Sequence, residues 1–125
     1  MFKPIDTNFV MTQIVGSVEE MRIKSMQWLD SWLMYQIRYK GRRGALIFDI
    51  DETVTEMKGK NEVLIKPVAN LYKKYRDMGI PVYFVTARPN IRGNRKDTEN
   101  TLEKLDLNGY KKLYLMSKEY SLKAN

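Results

Sequence analysis

Apolar residues follow two spacings along this chain, and the switches between them mark out its elements. From about residue 8 to residue 39, Val10, Ile14, Val18, Met21, Leu29 and Trp32 fall three, four or eight apart, the period of one broad helical stripe. Gly16 interrupts the stripe, so one helix or two are predicted, and Gly41-Arg42-Arg43-Gly44 ends it. The apolar run Ala45-Leu46-Ile47-Phe48 then stops directly in acid, which predicts a buried strand with a site at its carboxyl end. Thr53 to Lys66 is polar, with Gly59 and Asn61 as turn formers. Pro67 suits the first turn of a helix that Val68, Leu71, Tyr72 and Tyr75 continue and Gly79 stops. A second strand, Pro81-Val82-Tyr83-Phe84-Val85, ends in Thr86, and Pro89 to Asn94 reads as a loop. Asp97 or Thr98 is expected to cap a helix that buries Leu102 and Leu105, with Asn108-Gly109 closing it. Lys112 to Met116 is a third strand, and the last nine residues begin a further element.

The resulting order, α-β-loop-α-β-α-β with near-continuous apolar strands, predicts an α/β fold: a parallel sheet covered by helices through right-handed crossovers. An N-terminal helical segment, residues 1–43, is expected to pack on a core formed by residues 44–125. Ligands of such sheets bind beyond the carboxyl ends of the strands. Asp49 and Thr86 both belong to those ends.

Composition narrows the chemistry. The 125 residues contain no cysteine and no histidine. Disulfides, zinc–thiolate sites, thiol catalysis and histidine general bases are thereby excluded, leaving carboxylates, hydroxyls, lysines or a hard cation held by oxygen. There are 22 basic and 15 acidic residues, a formal charge of +7 that favours anionic partners. The basic residues gather in three places: Lys40 to Arg43, Lys73 to Arg76, and Arg92 to Lys96. The first ten residues lack the pattern of a secretory leader and no long apolar span follows, so no membrane segment and a cytoplasmic location are expected.

The densest signal is Phe48-Asp49-Ile50-Asp51-Glu52-Thr53-Val54. Two aspartates two positions apart, past a buried strand, face one side if extended geometry persists. Their mutual repulsion is relieved by a divalent cation, or by protonating one of them, which would split their roles into nucleophile and acid. The segment resembles the first signature of the haloacid dehalogenase (HAD) superfamily, and Val82 to Thr86 with Ala87-Arg88 resembles the second, a strand ending in Thr or Ser. The resemblance spans residues 8 to 123 and is closest to the acid phosphatase and vegetative storage protein branch, which shares the Phe48 to Thr53 start, the Lys66-Pro67 helix entry, the Thr86-x-Arg88 loop and the Leu105-x-x-x-Gly109-Tyr110 turn.

What the resemblance implies is a Rossmann-like, three-layer α/β/α core with a minimal cap, acting as a Mg²⁺-dependent phosphatase. Asp49 would be the nucleophile that forms an aspartyl-phosphate. Asp51 would serve as general acid and then as base. Asp49 and the Asp51 carbonyl would hold Mg²⁺, Thr86 would bond a phosphoryl oxygen, Thr53 would support the turn, and Arg88 would contact substrate. A lysine that pairs with nucleophile and phosphate is due after the third strand, and Lys123, or else Lys118, is its candidate. The acidic pair that such domains carry beyond a fourth strand has no counterpart before Asn125. A truncated or split form, a fragment completed by a partner chain or by a second copy covering an open sheet edge, and a non-catalytic domain kept for binding are all compatible with that. The segment from Val54 to Lys66 is too short for a folded cap, which leaves room for either a phosphorylated small molecule or a phosphorylated nucleic-acid end.

Overall fold

The structure, a computed structural model, describes residues 18–42 and 44–117. The chain divides into two compact units between Gly44 and Ala45. The first contributes helix α1 (Val18–Lys40), with Glu19 and Glu20 in its first turn and Arg38 and Lys40 in its last. Each charge has the sign that the helix dipole favours at that end. Both tryptophans of the chain, Trp28 and Trp32, sit in α1. The earlier part of the predicted stripe, through Gly16, lies outside the described residues. Met21, a member of that stripe, is 45% exposed.

The second unit runs β1 (Leu46–Asp49), β2 (Thr55–Lys58), β3 (Asn61–Leu64), α2 (Lys66–Asp77), β4 (Val82–Pro89), α3 (Asn94–Lys104) and β5 (Leu113–Met116). Strands β1, β4 and β5 form a parallel sheet in that order, so the α/β architecture expected from the sequence is present. Alternation along β4 puts Val82, Phe84 and Thr86 on one face, all buried. The register sets Phe48 beside Phe84, and Phe84 beside Leu113. Helix α2 covers this face. Its Tyr72 ring stacks on Phe84 with centroids 4.7 Å apart and meets Phe48 edge-on at 5.4 Å. Burying an aromatic side chain of this size contributes about 1.5–3 kcal/mol. Because the strand order advances in one direction, right-handed crossovers set α2 and α3 on the same face. Ile47 (68% exposed) and Tyr114 (49% exposed) belong to the other face, away from α2.

Three elements differ from the sequence expectation. The polar stretch after Thr53 is an antiparallel hairpin, β2–β3, closed by the two-residue loop Gly59-Lys60, with Gly59 at φ 64 as such tight turns require. Strand β4 continues to Pro89, so Thr86 lies inside it rather than at its end. Helix α3 starts at Asn94, not at Asp97 or Thr98. Left-handed Gly93 (φ 84) turns the chain, and the Asn94 side-chain amide donates to the Pro89 carbonyl at 2.9 Å. Thr98 is therefore a buried residue one turn into the helix, and Leu107, after the helix end at Lys104, is buried more completely than Leu105.

The turn after α3 is tied back to α2. The Tyr72 hydroxyl donates to the carbonyls of Leu107 (3.1 Å) and Asn108 (2.8 Å), and burial pushes its pKa up. Arg76 Nη1 donates to the Asp106 carbonyl at 2.8 Å. Gly109 (φ 82) completes the turn, and a Cβ there would lie 2.9 Å from Arg76 Cδ. Gly79 has the same backbone (φ 83) with open space around it. Gly79→Ala should cost about 1–2 kcal/mol for the left-handed backbone alone. Gly109→Ala should cost more, because the held Arg76 stem has to move. Urea unfolding of both variants checks this, and equal losses would mean that Arg76 yields freely.

Candidate active site

Strand β1 ends at Asp49, and the chain turns at once. The Ile50 carbonyl accepts the N–H groups of Thr53 (3.2 Å), Val54 (2.9 Å) and Thr55 (3.1 Å), while the Ile50 N–H donates to Val85 on β4 at 3.2 Å. Ile50 and Val54 are fully buried and anchor the turn. Glu52 has φ 59, a left-handed conformation that costs a residue with a side chain about 1–2 kcal/mol. Extended geometry thus stops at Asp49, and the two aspartates take different partners.

Asp49 is exposed, and its Oδ2 accepts from the Thr53 hydroxyl at 3.2 Å. Asp51 is held from β4. The Thr86 hydroxyl donates to Asp51 Oδ2 at 3.0 Å, and itself accepts the Arg88 backbone N–H at 3.1 Å. Arg88 grips the same carboxylate through Nε (3.2 and 3.1 Å) and Nη2 (2.7 Å to Oδ1). These Arg88 hydrogen bonds hold the Asp51 carboxyl below the usual carboxylate range, against the upward push of partial burial. The same pairing raises the pKa of Arg88.

Arg88 also reaches two residues that the sequence pattern did not place at the site, Glu62 and the expected cap candidate Thr98. Its Nη2 donates to both carboxylate oxygens of Glu62 (3.1 and 3.0 Å), and its Nη1 to the Thr98 hydroxyl at 3.3 Å. Thr55 donates to Glu62 Oε2 at 2.7 Å. Pairing of β2 with β3 sets Thr55 opposite Leu64 and hence diagonal to Glu62, on one face of the hairpin. Reading Gly59-Lys60 as a hairpin loop would have joined Thr55 to Glu62. Nothing in the sequence would have joined either to Arg88.

Of the residues expected at the site, Asp51, Thr86 and Arg88 share hydrogen bonds and Asp49 and Thr53 form a second pair, where β1 ends beside the later half of β4. Lys118 and Lys123 lie outside the described residues. Just beyond β4, a cleft of about 510 Å³ opens beside the first turn of α3, lined by Ile91, Arg92, Arg95, Lys96 and Glu99 among others. Arg95 donates to the Leu113 carbonyl at 3.1 Å and approaches Glu99 at 3.9 Å. Arg92 and Lys96 are exposed. Thr98, which contacts Arg88, lies on the same helix two residues after Lys96.

The donor set suits a hard cation in part. Asp49 offers an exposed carboxylate with one oxygen outside the Thr53 bond, whereas the Asp51 carboxylate is committed to Thr86 and Arg88. A cation would then take an Asp49 oxygen and the Asp51 main-chain carbonyl, with water and a phosphate filling the remaining positions, the usual mode for Mg²⁺. No cluster of three or more His, Cys, Asp or Glu side chains is placed to hold a metal among the described residues, nor does any described helix have the length and apolarity to cross a membrane. No protein-family model matches the chain, and no curated protein is significantly similar to it in sequence.

Proposed function

We propose that this chain is a HAD-type phosphatase domain that hydrolyses a phosphomonoester through an aspartyl-phosphate on Asp49. The observation that carries this reading is the division of labour between the two acids: Asp49 is exposed at the end of β1, while Asp51 is oriented by Thr86 and Arg88. An Asp49 oxygen attacks phosphorus, and the bond to the leaving oxygen breaks as Asp51 supplies that oxygen with a proton. Water then attacks the aspartyl-phosphate, Asp51 takes its proton, and inorganic phosphate leaves with Asp49 restored. Thr53 steadies the Asp49 carboxylate. The Thr86 hydroxyl is donated to Asp51, so bonding a phosphoryl oxygen would mean exchanging that acceptor. Mg²⁺, held by Asp49 and the Asp51 carbonyl, would neutralise charge on the transferring phosphoryl oxygens. The test is release of inorganic phosphate from an aryl phosphate with and without Mg²⁺.

A metal held in this way should raise the thermal midpoint, by about 2.7 kcal/mol of stability at a hundred times its Kd. Asp49→Asn should lose most of that shift. A midpoint that responds to Mg²⁺ equally in the variant and the unsubstituted chain would put the cation elsewhere.

The basic cleft favours a second reading, a phosphatase for phosphorylated nucleic-acid 3′-ends. Arg92 and Lys96 would contact backbone phosphates next to the reacting one. Affinity for an oligonucleotide 3′-phosphate should then fall steeply with salt, by a slope that Arg92→Ala and Lys96→Ala reduce, while an aryl phosphate responds weakly. Equal salt slopes for the two substrates would favour a small phosphorylated metabolite.

A further inference from the structure

We propose that Glu62 is a positioning residue: from the β2–β3 hairpin it holds the Arg88 guanidinium, and through Arg88 it fixes the direction of the Asp51 carboxylate. The inference rests on the phosphatase reading and assigns Arg88 to Asp51 rather than to substrate. The guanidinium has protein acceptors on all three nitrogens: the Nε–Nη2 edge faces Asp51, Nη2 also reaches Glu62, and Nη1 reaches Thr98. With four of its five N–H groups so engaged, the fork cannot offer a phosphoryl group a bidentate pair without giving up one of these partners.

Glu62 is the partner built for the purpose. Its side chain is only 17% exposed, and a carboxylate so covered requires hydrogen bonds. It has them from Arg88 and from the buried Thr55 hydroxyl, which sets the carboxylate on the inner face of the hairpin. Asp51, by contrast, has a side chain 47% exposed and would rotate freely without Thr86 and Arg88. The chain Thr55–Glu62–Arg88–Asp51 therefore makes the orientation of the proton-donating acid depend on how the hairpin is seated. A hairpin staple with no bearing on chemistry would use the same contacts, so the test must separate orientation from mere stability.

The variants are Glu62→Gln, Glu62→Ala and Thr55→Val, each checked for the unsubstituted circular dichroism spectrum. Thr55→Val removes only the hydroxyl behind Glu62 and keeps the proposal testable if Glu62→Ala does not fold. The substrates are an aryl phosphate and an alkyl phosphate, which differ in their need for a proton at the leaving oxygen. Glu62→Ala is expected to lower kcat for the alkyl ester by about 10-fold or more and for the aryl ester by less than about 3-fold, with KM nearly unchanged for both. Glu62→Gln and Thr55→Val should shift kcat in the same direction by less. Equal losses of kcat on both esters would reduce Glu62 to a structural staple, and KM values that rise together would assign Arg88 to the substrate. If the unsubstituted chain hydrolyses neither ester, the phosphatase reading fails, and solvent exchange of the Arg88 Nε–H by NMR judges the positioning by itself. Exchange should be slow in the unsubstituted chain and at least several-fold faster in Glu62→Gln and Thr55→Val; unchanged exchange overturns the proposal.

Discussion

Asp49→Asn is expected to lower turnover of an aryl phosphate by about 10³-fold or more, the scale on which removal of a nucleophile acts. The chain has no histidine or cysteine to supply another nucleophile or general base. A serine or threonine would need such a base, whereas a carboxylate is already anionic at neutral pH. Asp49 is exposed, its carboxylate accepts one hydrogen bond among the described residues, from Thr53, and the asparagine carbonyl can accept that bond in its place. The fold should therefore be unchanged, and a thermal midpoint within a few degrees of the unsubstituted chain would show that chemistry alone was lost. The competing route is a metal-bound water that attacks phosphorus directly. Metal-dependent hydrolysis that survives in Asp49→Asn would establish that route and end the covalent assignment.

The second large effect belongs to Asp51. Asp51→Asn should slow hydrolysis of an alkyl phosphate by roughly 10²–10⁴-fold and that of an aryl phosphate far less, because a stable leaving oxygen does not need the proton. Arg88 adds a pH signature. Its hydrogen bonds are the main cause that lowers the Asp51 pKa, so the protonated acid is the minor form at neutral pH. For the alkyl ester, kcat/KM should rise as pH falls towards that pKa. Arg88→Met removes the lowering cause and should move this limb to higher pH. The linked stability effect has a definite sign. A depressed carboxyl contributes stability that is present above its unfolded pKa of about 3.9 and lost as pH falls through the folded value. Since Asp51 is half-exposed, solvent screening keeps that contribution small. A pH profile for Arg88→Met that coincides with the unsubstituted one would mean that Arg88 does not tune the acid.

The strands and α2 were legible because burial on a sheet face leaves continuous apolar runs, and because Pro67 and Gly79 punctuate α2 at its two ends. Asp49 and Asp51 were legible because they follow such a run directly. The hairpin was not. Its strands are four residues each, and they alternate Thr, Glu, Met and Lys against Asn, Glu, Val and Leu, too short and too polar to show a period. In α3, Asp97 and Thr98 look like caps in the sequence, whereas the start of the helix is set by left-handed Gly93, without a side-chain cap bond. Glu62 is hidden in the sequence for a different reason. Its partner Arg88 lies 26 residues away in sequence, and only the seating of the hairpin brings the two together.

The placement of the tryptophans gives the first unit an optical reporter of its own. Both indoles belong to α1, whereas the unit from Ala45 onward has tyrosines at 72, 75, 83, 110, 114 and 120 and no tryptophan. Red-edge excitation of the intact chain therefore reads the environment of α1 alone. Near-ultraviolet circular dichroism sums both units: the indoles and the Tyr35–Tyr39 pair of α1, and the stacked Tyr72–Phe84 pair, whose fixed geometry exists only while α2 stays docked on the sheet. If the units melt as one, the indole emission and the dichroism will trace a single transition. If they melt apart, the dichroism will show a step that the indole emission lacks, and the same chain will report two stabilities without a label or a cut.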